Sequence, residues 1–348
     1  MINVSRRAWL KASALAPVAI ACSRPRTSKD VLRALVLDVA TEDAKEIVVA
    51  SARLAEGLGA VVDGSTPAAL DAARTAWKTA LLSWQRATCF QTPALLKSNA
   101  LLRAIFFPVR APAVEHLALS GMASSDGSVS ELGVDRKGMF ALEVLLFGVP
   151  GTAATPLFER AGPEGQQARR FAQLLGANVA QYARAAASEL GDGKATAESY
   201  AQGGQETLSR LVSQMVGTIG SLTSGRLSKA LATDGASKPS QIEGYSSGSA
   251  LDILETLVHG VERVYAGGRG GGLAELVHAR SAALDASLRA RFREARSALE
   301  QANRARGNVR SHELGAAQAA VRALDHALES EFTSALGVTL TFAGPDAD

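Results

Sequence analysis

The sequence predicts an all-α protein, and two observations carry that prediction. From about residue 30 onward, apolar residues recur at intervals of three and four, which is the period of a helix with one buried face. Only residues 337–342 have an extended pattern, and a segment of that length is too short to seed a sheet. We therefore expect about eight helices, packed as two bundles.

The first two helices have clear start and stop signals. A helix over residues 30–62 ends where a polar turn, residues 63–65, interrupts the apolar pattern. Thr66 then caps a second helix, with Pro67 in its first turn, where a helix tolerates proline best. These signals predict the boundary between the first two helices at residues 63–66.

Two tryptophans mark one face of the second helix. Trp77 and Trp84 stand seven residues apart, so both indoles lie on the same side, and a bundle core explains them better than a ligand site. Three prolines and a Ser/Gly-rich stretch exclude a long helix within residues 91–135. The remaining helices are predicted over residues 136–147, 163–190, 195–231, 249–265, 273–305 and 311–336.

Residues 1–21 read as a signal peptide, with a charged start, an apolar run and small residues before Cys22. The segment around Arg6 and Arg7 resembles the twin-arginine export motif. Residues 19–22 resemble a lipobox, in which Cys22 is acylated and anchors the protein to a membrane. An ordinary cleaved signal with a chance cysteine is the alternative. Because serine and not aspartate follows Cys22, we expect the periplasmic face of the outer membrane.

The predicted organisation has four parts. The signal peptide precedes a short tether, residues 22–29, which leads into an N-terminal helical bundle, residues 30–160. A C-terminal helical bundle, residues 161–348, completes what we expect to be one domain. Two polar or glycine-rich stretches interrupt the second bundle: residues 267–272 are predicted to be a flexible linker, and residues 235–248 a long loop of the kind that often carries function.

Composition excludes several classes of protein. The 348 residues are 47% hydrophobic and 20% charged, which excludes a disordered chain, and two cysteines do not make a disulfide scaffold. The formal charge of +3 comes from three basic residues within residues 1–21, which hold no acid. The rest of the chain has equal numbers of acidic and basic side chains, so we expect no nucleic-acid partner.

Four segments, in this order, carry a resemblance to a known family. They are the tryptophan helix with residues 90–93, then residues 136–148, then residues 243–252 with Gly260 and Tyr265, and last residues 336–342 with an acidic end. Together they resemble the imelysin family of exported helical proteins, which is also classed as a peptidase family. The resemblance implies two bundles related as a pseudo-repeat, a cleft between them, and a connection with the acquisition of iron or another metal.

The resemblance also implies where the site lies. Residues 138–143 are similar to the family's Gly-x-His-x-x-Glu segment, and residues 243–252 to its serine-rich loop. The residues expected to line the cleft are Arg136, Gly138, Phe140, Glu143, Tyr245, Ser246, Ser249 and Asp252. Ser249 is also expected to cap the following helix, with Asp252 at the third position.

The chain departs from the motif at Phe140, which stands where the family has histidine. Phenylalanine has no lone pair for a metal and no proton to exchange, so a His-Glu metal pair cannot form there. Glu143 then stands alone on an apolar helix, where burying its charge requires a partner. Two interpretations remain open. Glu143 is a structural residue held by an arginine such as Arg136 or by helix N-terminal amides, or it is the carboxylate floor of a binding cleft with a raised pKa.

Other histidines offer only weak metal candidates. His259 and Glu262 are three residues apart on one helix face, as are His326 and Glu329, although a solvated pair explains each spacing better. The candidate metal ligands are Glu143, His259 and Glu262. No His-Glu-x-x-His helix is present. No cofactor follows from the residues themselves, and iron or another divalent metal is implied by the resemblance alone.

The sequence therefore predicts a non-catalytic, lipid-anchored periplasmic ligand-binding protein of imelysin type, connected with the uptake of iron or another metal. Its partners would be a membrane, through acylated Cys22, and a small ligand or metal. One alternative is a metallopeptidase-like hydrolase with a degenerate motif. Another is a scaffold for an envelope protein complex, which an exposed apolar patch would favour.

Overall fold

The computed structural model describes residues 26–63, 66–121, 126–231, 238–305 and 311–340. Within these ranges the chain forms helices and turns, with one isolated bridge between Gly268 and Gly271 and no strand, so the predicted all-α class is confirmed. None of the described helices combines the length and the apolarity that crossing a bilayer requires. The predicted export signal, including Arg6, Arg7 and Cys22, lies outside the described residues.

The helices follow the chain from Ser28 to Leu336. The first eight are α1 (Ser28–Leu35), α2 (Thr41–Asp63), α3 (Pro67–Ala87), α4 (Pro93–Lys97), α5 (Ala100–Ile105), α6 (Ala111–Ser120), α7 (Asp126–Ser130) and α8 (Gly138–Phe147). The next eight are α9 (Gly162–Leu190), α10 (Lys194–Ser221), α11 (Leu227–Leu231), α12 (Ala250–Ala266), α13 (Leu273–His278), α14 (Ala282–Arg304), α15 (Ser311–Ala327) and α16 (Thr333–Leu336). Short π-helical turns at Val36–Ala40, Leu222–Arg226 and Leu328–Phe332 join consecutive helices.

The predicted cap of α3 is present. The Thr66 side chain accepts a hydrogen bond from the amide of Ala69, and Pro67 stands in the first turn. Helix α1, the first described helix, begins two residues earlier than predicted, because Thr27 and Asp30 form a capping box. Residues 28 and 29 therefore belong to a helix rather than to the predicted tether.

The prediction of one helix over residues 273–305 is wrong. The chain turns between α13 and α14, where the Ser281 side chain accepts a hydrogen bond from the amide of Leu284 and starts a new helix. The apolar period continues through the turn, so periodicity alone does not reveal the break. Residues 91–135 contain α4–α7, which are too short to give a periodic signal in the sequence.

The packing does not divide at residue 161. Helix α9, which opens the predicted C-terminal bundle, packs along α2 and also against α6 and α8. Conversely, α1 packs against α10, and α12 bridges α3 and α14. The buried apolar side chains form one continuous core across these helices. The pseudo-repeat of two bundles remains a prediction.

The glycine-rich segment at residues 267–272 is a tight turn docked on α1 and its π-helical extension, and the prediction of a flexible linker is wrong. The amide of Gly270 donates a hydrogen bond to the Asp38 carboxylate. A Cβ atom at Gly268 would lie 2.4 Å from the Cβ of Asp38, so the turn approaches too closely for a larger residue. The glycines allow the backbone of this turn to pack directly against Asp38.

Both tryptophans of α3 are buried in the core, as their spacing predicts. The Trp84 indole donates a hydrogen bond to the Ser51 hydroxyl at 3.0 Å. The Trp77 indole donates to the backbone carbonyl of Met139 at 2.8 Å. Because buried indole N–H groups need a partner, this second bond fixes α8 against α3. Helix α8 carries the residues of the candidate site.

Candidate functional site

Helix α8 is buried on every side, and its first residue explains how it reaches that position. Gly138 has φ of +81°, which side-chain-bearing residues rarely adopt. A Cβ atom there would lie 2.6 Å from the carbonyl oxygen of Ala104 and 2.8 Å from that of Arg103. The glycine of the motif therefore allows the start of α8 to touch the backbone of α5. Gly138 is therefore needed for the backbones of α8 and α5 to lie this close together.

Glu143 is the one charged residue of this buried helix, and a loop holds its carboxylate. The side chain is 5% exposed. Its Oε1 atom accepts a hydrogen bond from the Ser247 amide at 2.9 Å and a second from the Ser247 hydroxyl at 2.8 Å. Burial raises the pKa of Glu143 to about 7, although the Ser247 hydrogen bonds favour the charged form and oppose the rise. The carboxyl thus titrates near neutral pH.

The cations preceding α8 contact other groups. Arg136 ends a 3₁₀ turn, Val134–Arg136, and its Nε lies 3.6 Å from the carboxylate of Asp135. Lys137 is buried and donates a hydrogen bond to the Ser130 carbonyl at 2.7 Å. The expectation that Arg136 holds Glu143 is therefore wrong, because the turn places Arg136 before the helix and beside Asp135. Ser247 supplies the donors instead.

Phe140 occupies the motif histidine position and is packed in the core. Its side chain is buried, and its ring meets that of Phe107 edge-to-face, with centroids 5.0 Å apart. Such an arrangement is favourable for two aromatic rings and leaves no polar atom at this position. Phe140 therefore contributes packing, and it links α8 to the Phe107 side chain.

The loop before α12 places its serines differently from one another. Tyr245 is 43% exposed and points away from the core. The hydroxyl of Ser246 is buried and finds no hydrogen-bond partner within the described residues, and the same holds for Ser249. Ser247, which we did not single out in the sequence, is the residue that contacts Glu143. The buried carboxylate signals that some donor is required, but the sequence does not show which serine faces it.

The predicted capping box of α12 does not form. Ser249 stands at the N-cap position with φ of −95° and ψ of 6°, and its side chain makes no cap hydrogen bond. Asp252 instead accepts a hydrogen bond from Asn303 at 2.9 Å and pairs with Lys78, also at 2.9 Å. Asp252 therefore ties α12 to α14 and to α3, because its carboxylate is engaged outside its own helix.

A cavity of about 330 Å³ lies beside this loop. Its walls come from the segment after α5, from α11, from the start of the loop and from the first turns of α12. The lining residues are Phe107, Pro108, Arg226, Lys229, Ala230, Gln241, Ile242, Glu243, Ala250, Ile253 and Leu254. Phe107 is shared between the cavity wall and the contact with Phe140. None of the eight residues predicted to line a cleft is among those that line this cavity; the lining positions Glu243 and Ala250 flank the serines of the loop in the chain.

The weak metal candidates do not meet. His259 is partly buried, and burial together with the positive charge of Arg296 lowers its pKa. Glu262 and Glu255 both bind Arg296, at 3.0 Å and 3.1 Å. Among the residues that the structure describes, no group of three or more His, Cys, Asp or Glu side chains could hold a metal ion. A single carboxylate that already accepts two hydrogen bonds does not fit the iron that the resemblance implies at Glu143.

Comparison with known proteins identifies the family. The family model described as imelysin, a peptidase family designated M75, matches residues 40–332. The chain belongs to the imelysin family. No curated protein sequence matches it significantly.

Two solved structures share the imelysin fold. The crystal structure of an imelysin-like protein from Psychrobacter arcticum has a TM-score of 0.76 at 13% identity, covering 91% of this chain and 99% of that chain. The crystal structure of a candidate iron-regulated protein A precursor from Parabacteroides distasonis has a TM-score of 0.70 at 15% identity, covering 91% and 97%. At these identities the likeness shows the fold alone.

Removing the Ser247 hydroxyl should destabilise the protein in a pH-dependent way. In Ser247→Ala, Glu143 keeps the amide donor and loses the hydroxyl donor, so we expect the free energy of unfolding at pH 8 to fall by about 1–3 kcal/mol. At pH 5 the carboxyl is protonated, and the loss should be smaller. Urea denaturation at both pH values measures the difference.

Ser246→Ala is the matched control for this experiment. It removes a neighbouring buried hydroxyl that has no partner within the described residues, so its free energy of unfolding should change by less than about 0.5 kcal/mol at either pH. Equal effects of the two substitutions would contradict a specific role of Ser247 at Glu143.

Proposed function

We propose that this imelysin-family protein is an exported, lipid-anchored ligand-binding protein without catalytic activity, connected with the uptake of iron or another metal. The observation that carries the proposal is the geometry around Glu143. Its carboxylate is engaged by Ser247 and shares its helix with Phe140, and the adjoining loop lines a cavity of about 330 Å³. Glu143 does not itself line the cavity, so the proposed binding site is the cavity, and the buried carboxylate holds the adjoining loop in place.

The same geometry argues against hydrolysis at this site. A peptidase requires a water activated by a metal, or a nucleophile next to a base. Phe140 offers neither a metal ligand nor a base, and the Glu143 oxygen that faces the loop already accepts two hydrogen bonds. The hydroxyls of Ser246 and Ser249 have no partner in the described part of the chain, so no base activates them there. The Ser247 hydroxyl does meet a carboxylate, that of Glu143, at 2.8 Å, but neither residue lines the cavity, so a substrate held there would not lie against this pair.

The proposed link to metal uptake rests on the family and on one relative. The structure from Parabacteroides distasonis belongs to a candidate iron-regulated protein A precursor, and this chain has the same fold. Because Glu143 does not fit a bare metal ion, we infer that the cavity binds an organic molecule. The metal would then be bound by that molecule, or the protein would act in metal uptake without contacting the metal.

The proposed location follows from the sequence of residues 1–22. The paired arginines, the apolar run and Cys22 support export followed by acylation, and Ser23 supports the outer membrane. Helix α1 begins at Ser28, six residues after Cys22. An anchor at Cys22 would therefore hold the helical body close to the bilayer surface.

The test is to isolate the full chain from its native envelope, fractionate it, and analyse bound metals and small molecules by mass spectrometry. We expect the protein in the membrane fraction, its release in Cys22→Ser, one organic molecule per chain, and no peptide hydrolysis. Hydrolysis that Glu143→Gln abolishes would establish the hydrolase alternative. A metal present at one per chain that survives Glu143→Gln would contradict our placement of the site. Purification with neither metal nor ligand would favour the scaffold.

A further inference from the structure

We propose that the cavity beside the serine-rich loop binds a small organic carboxylate with an apolar body, and that Lys229 is the ion-pair partner of this ligand. The inference deepens the proposed function and rests on it, because it takes ligand binding at this site as given. It adds the chemical class of the ligand and the residue that selects its charge.

The size and walls of the cavity define the apolar part of the ligand. A volume of about 330 Å³ lies at the lower end of the range for small-molecule sites, roughly 300–1,000 Å³. Most of the lining is apolar, and its larger members are Phe107, Ile242, Ile253 and Leu254. Phe107 is held in place by its edge-to-face contact with Phe140. A flat or compact hydrocarbon body would fill this space and bury these walls.

The charges at the cavity define the polar part of the ligand. Arg226 donates a hydrogen bond to the Glu243 carboxylate, which also accepts one from Gln85 at 3.4 Å. These two charges therefore cancel each other. Lys229 lines the same cavity, and within the described residues its ammonium group has neither a hydrogen-bond nor an ion-pair partner. The lining thus carries one uncompensated positive charge.

One uncompensated cation selects a monoanion. A cationic ligand would have to compete with Arg226 for Glu243, breaking an ion pair that is already formed. A small inorganic anion would satisfy Lys229 but would leave the apolar walls in contact with water. A carboxylate on an apolar body satisfies both parts of the site, because its charge meets Lys229 at the exposed rim while its body enters the cavity.

The probe is 2-naphthoate, compared with its neutral isostere 2-naphthamide, and binding to the purified full chain is measured by titration calorimetry. We expect 2-naphthoate to bind at least about tenfold more tightly than 2-naphthamide. Lys229→Gln should weaken 2-naphthoate about tenfold and leave 2-naphthamide unchanged. Because Lys229 is exposed on α11, this substitution should leave the fold intact.

Two variants make the result specific. Lys45→Gln removes an exposed lysine of α2 that does not line the cavity, so the affinity for 2-naphthoate should not change. Ala230→Phe adds a ring to the cavity wall and should weaken both probes. Equal affinity for the two probes, absence of binding, or equal effects of the two lysine substitutions would overturn the inference. If a neutral or cationic molecule instead copurifies with the unmodified protein and is lost in Ala230→Phe, that result overturns the inference and leaves the proposed function intact.

Discussion

Replacing Gly138 with alanine should destabilise the protein by about 2–5 kcal/mol. Two costs add at this position. A side-chain-bearing residue at φ of +81° is strained by about 1–2 kcal/mol, and a Cβ atom 2.6 Å from the carbonyl of Ala104 forces a shift that costs about 1–3 kcal/mol. The obstacle is backbone from α5, which cannot rotate away as a flexible side chain could.

The midpoint of urea denaturation, followed by far-UV circular dichroism, measures this loss. Gly217→Ala is the matched control, because Gly217 lies inside α10 and nothing is within 4 Å of the position its Cβ would take. That variant should gain about 0.5–1 kcal/mol from reduced freedom of the unfolded chain. If Gly138→Ala matched Gly217→Ala, the close approach of α8 to α5 would be refuted.

Gly138 illustrates what a sequence motif does and does not reveal. Position and residue type mark it as a motif glycine, but the reason for a glycine is the carbonyl oxygen of Ala104, more than 30 residues away in the chain. Local signals are easier to interpret. The cap at Thr66 follows from adjacent residues, whereas the break at Ser281 is hidden by a continuous apolar period. The capping box predicted at Ser249 from the same kind of local signal does not form, because Asp252 contacts Asn303 and Lys78 instead. Local signals were therefore predictive only where no tertiary contact competes with them.

The site shows the same division. The sequence indicates that a carboxylate on an apolar helix needs a partner, and it draws attention to a serine-rich loop. It suggests Arg136, which is near in sequence, but a 3₁₀ turn directs Arg136 to Asp135. Ser247 faces Glu143 because the loop turns at Gly244, which has φ of +70°. Which of three neighbouring serines faces inward depends on that turn, and residue types alone do not determine it.

The Glu143 carboxyl should make stability depend on pH, and Glu143→Gln should remove that dependence. Burial raises the pKa of Glu143 to about 7 from its usual 4.5. A raised folded-state pKa contributes stability that is complete below the unfolded pKa and is lost as pH rises through about 7. At about 1.36 kcal/mol per pKa unit, the free energy of unfolding should fall by about 2–3 kcal/mol between pH 5 and pH 8.

The measured quantity is the difference in free energy of unfolding between the unmodified protein and Glu143→Gln, obtained from urea denaturation at several pH values. Other titrating groups are the same in both chains and cancel. Glutamine keeps an oxygen that can accept the Ser247 hydrogen bonds, so any fixed cost of the substitution cancels between the two pH values. As pH rises from 5 to 8, the unmodified protein should therefore lose stability relative to Glu143→Gln.

Glu206→Gln is the control, because the Glu206 side chain is 87% exposed and its neutralisation should give a nearly flat difference from pH 5 to pH 8. If Glu143→Gln gives an equally flat difference, the carboxyl titrates in its ordinary range and the Ser247 hydrogen bonds fully compensate for burial. If the difference in free energy of unfolding depends on pH for Glu143→Gln and not for Glu206→Gln, then burying the Glu143 carboxyl lowers the stability of the protein as the group becomes charged.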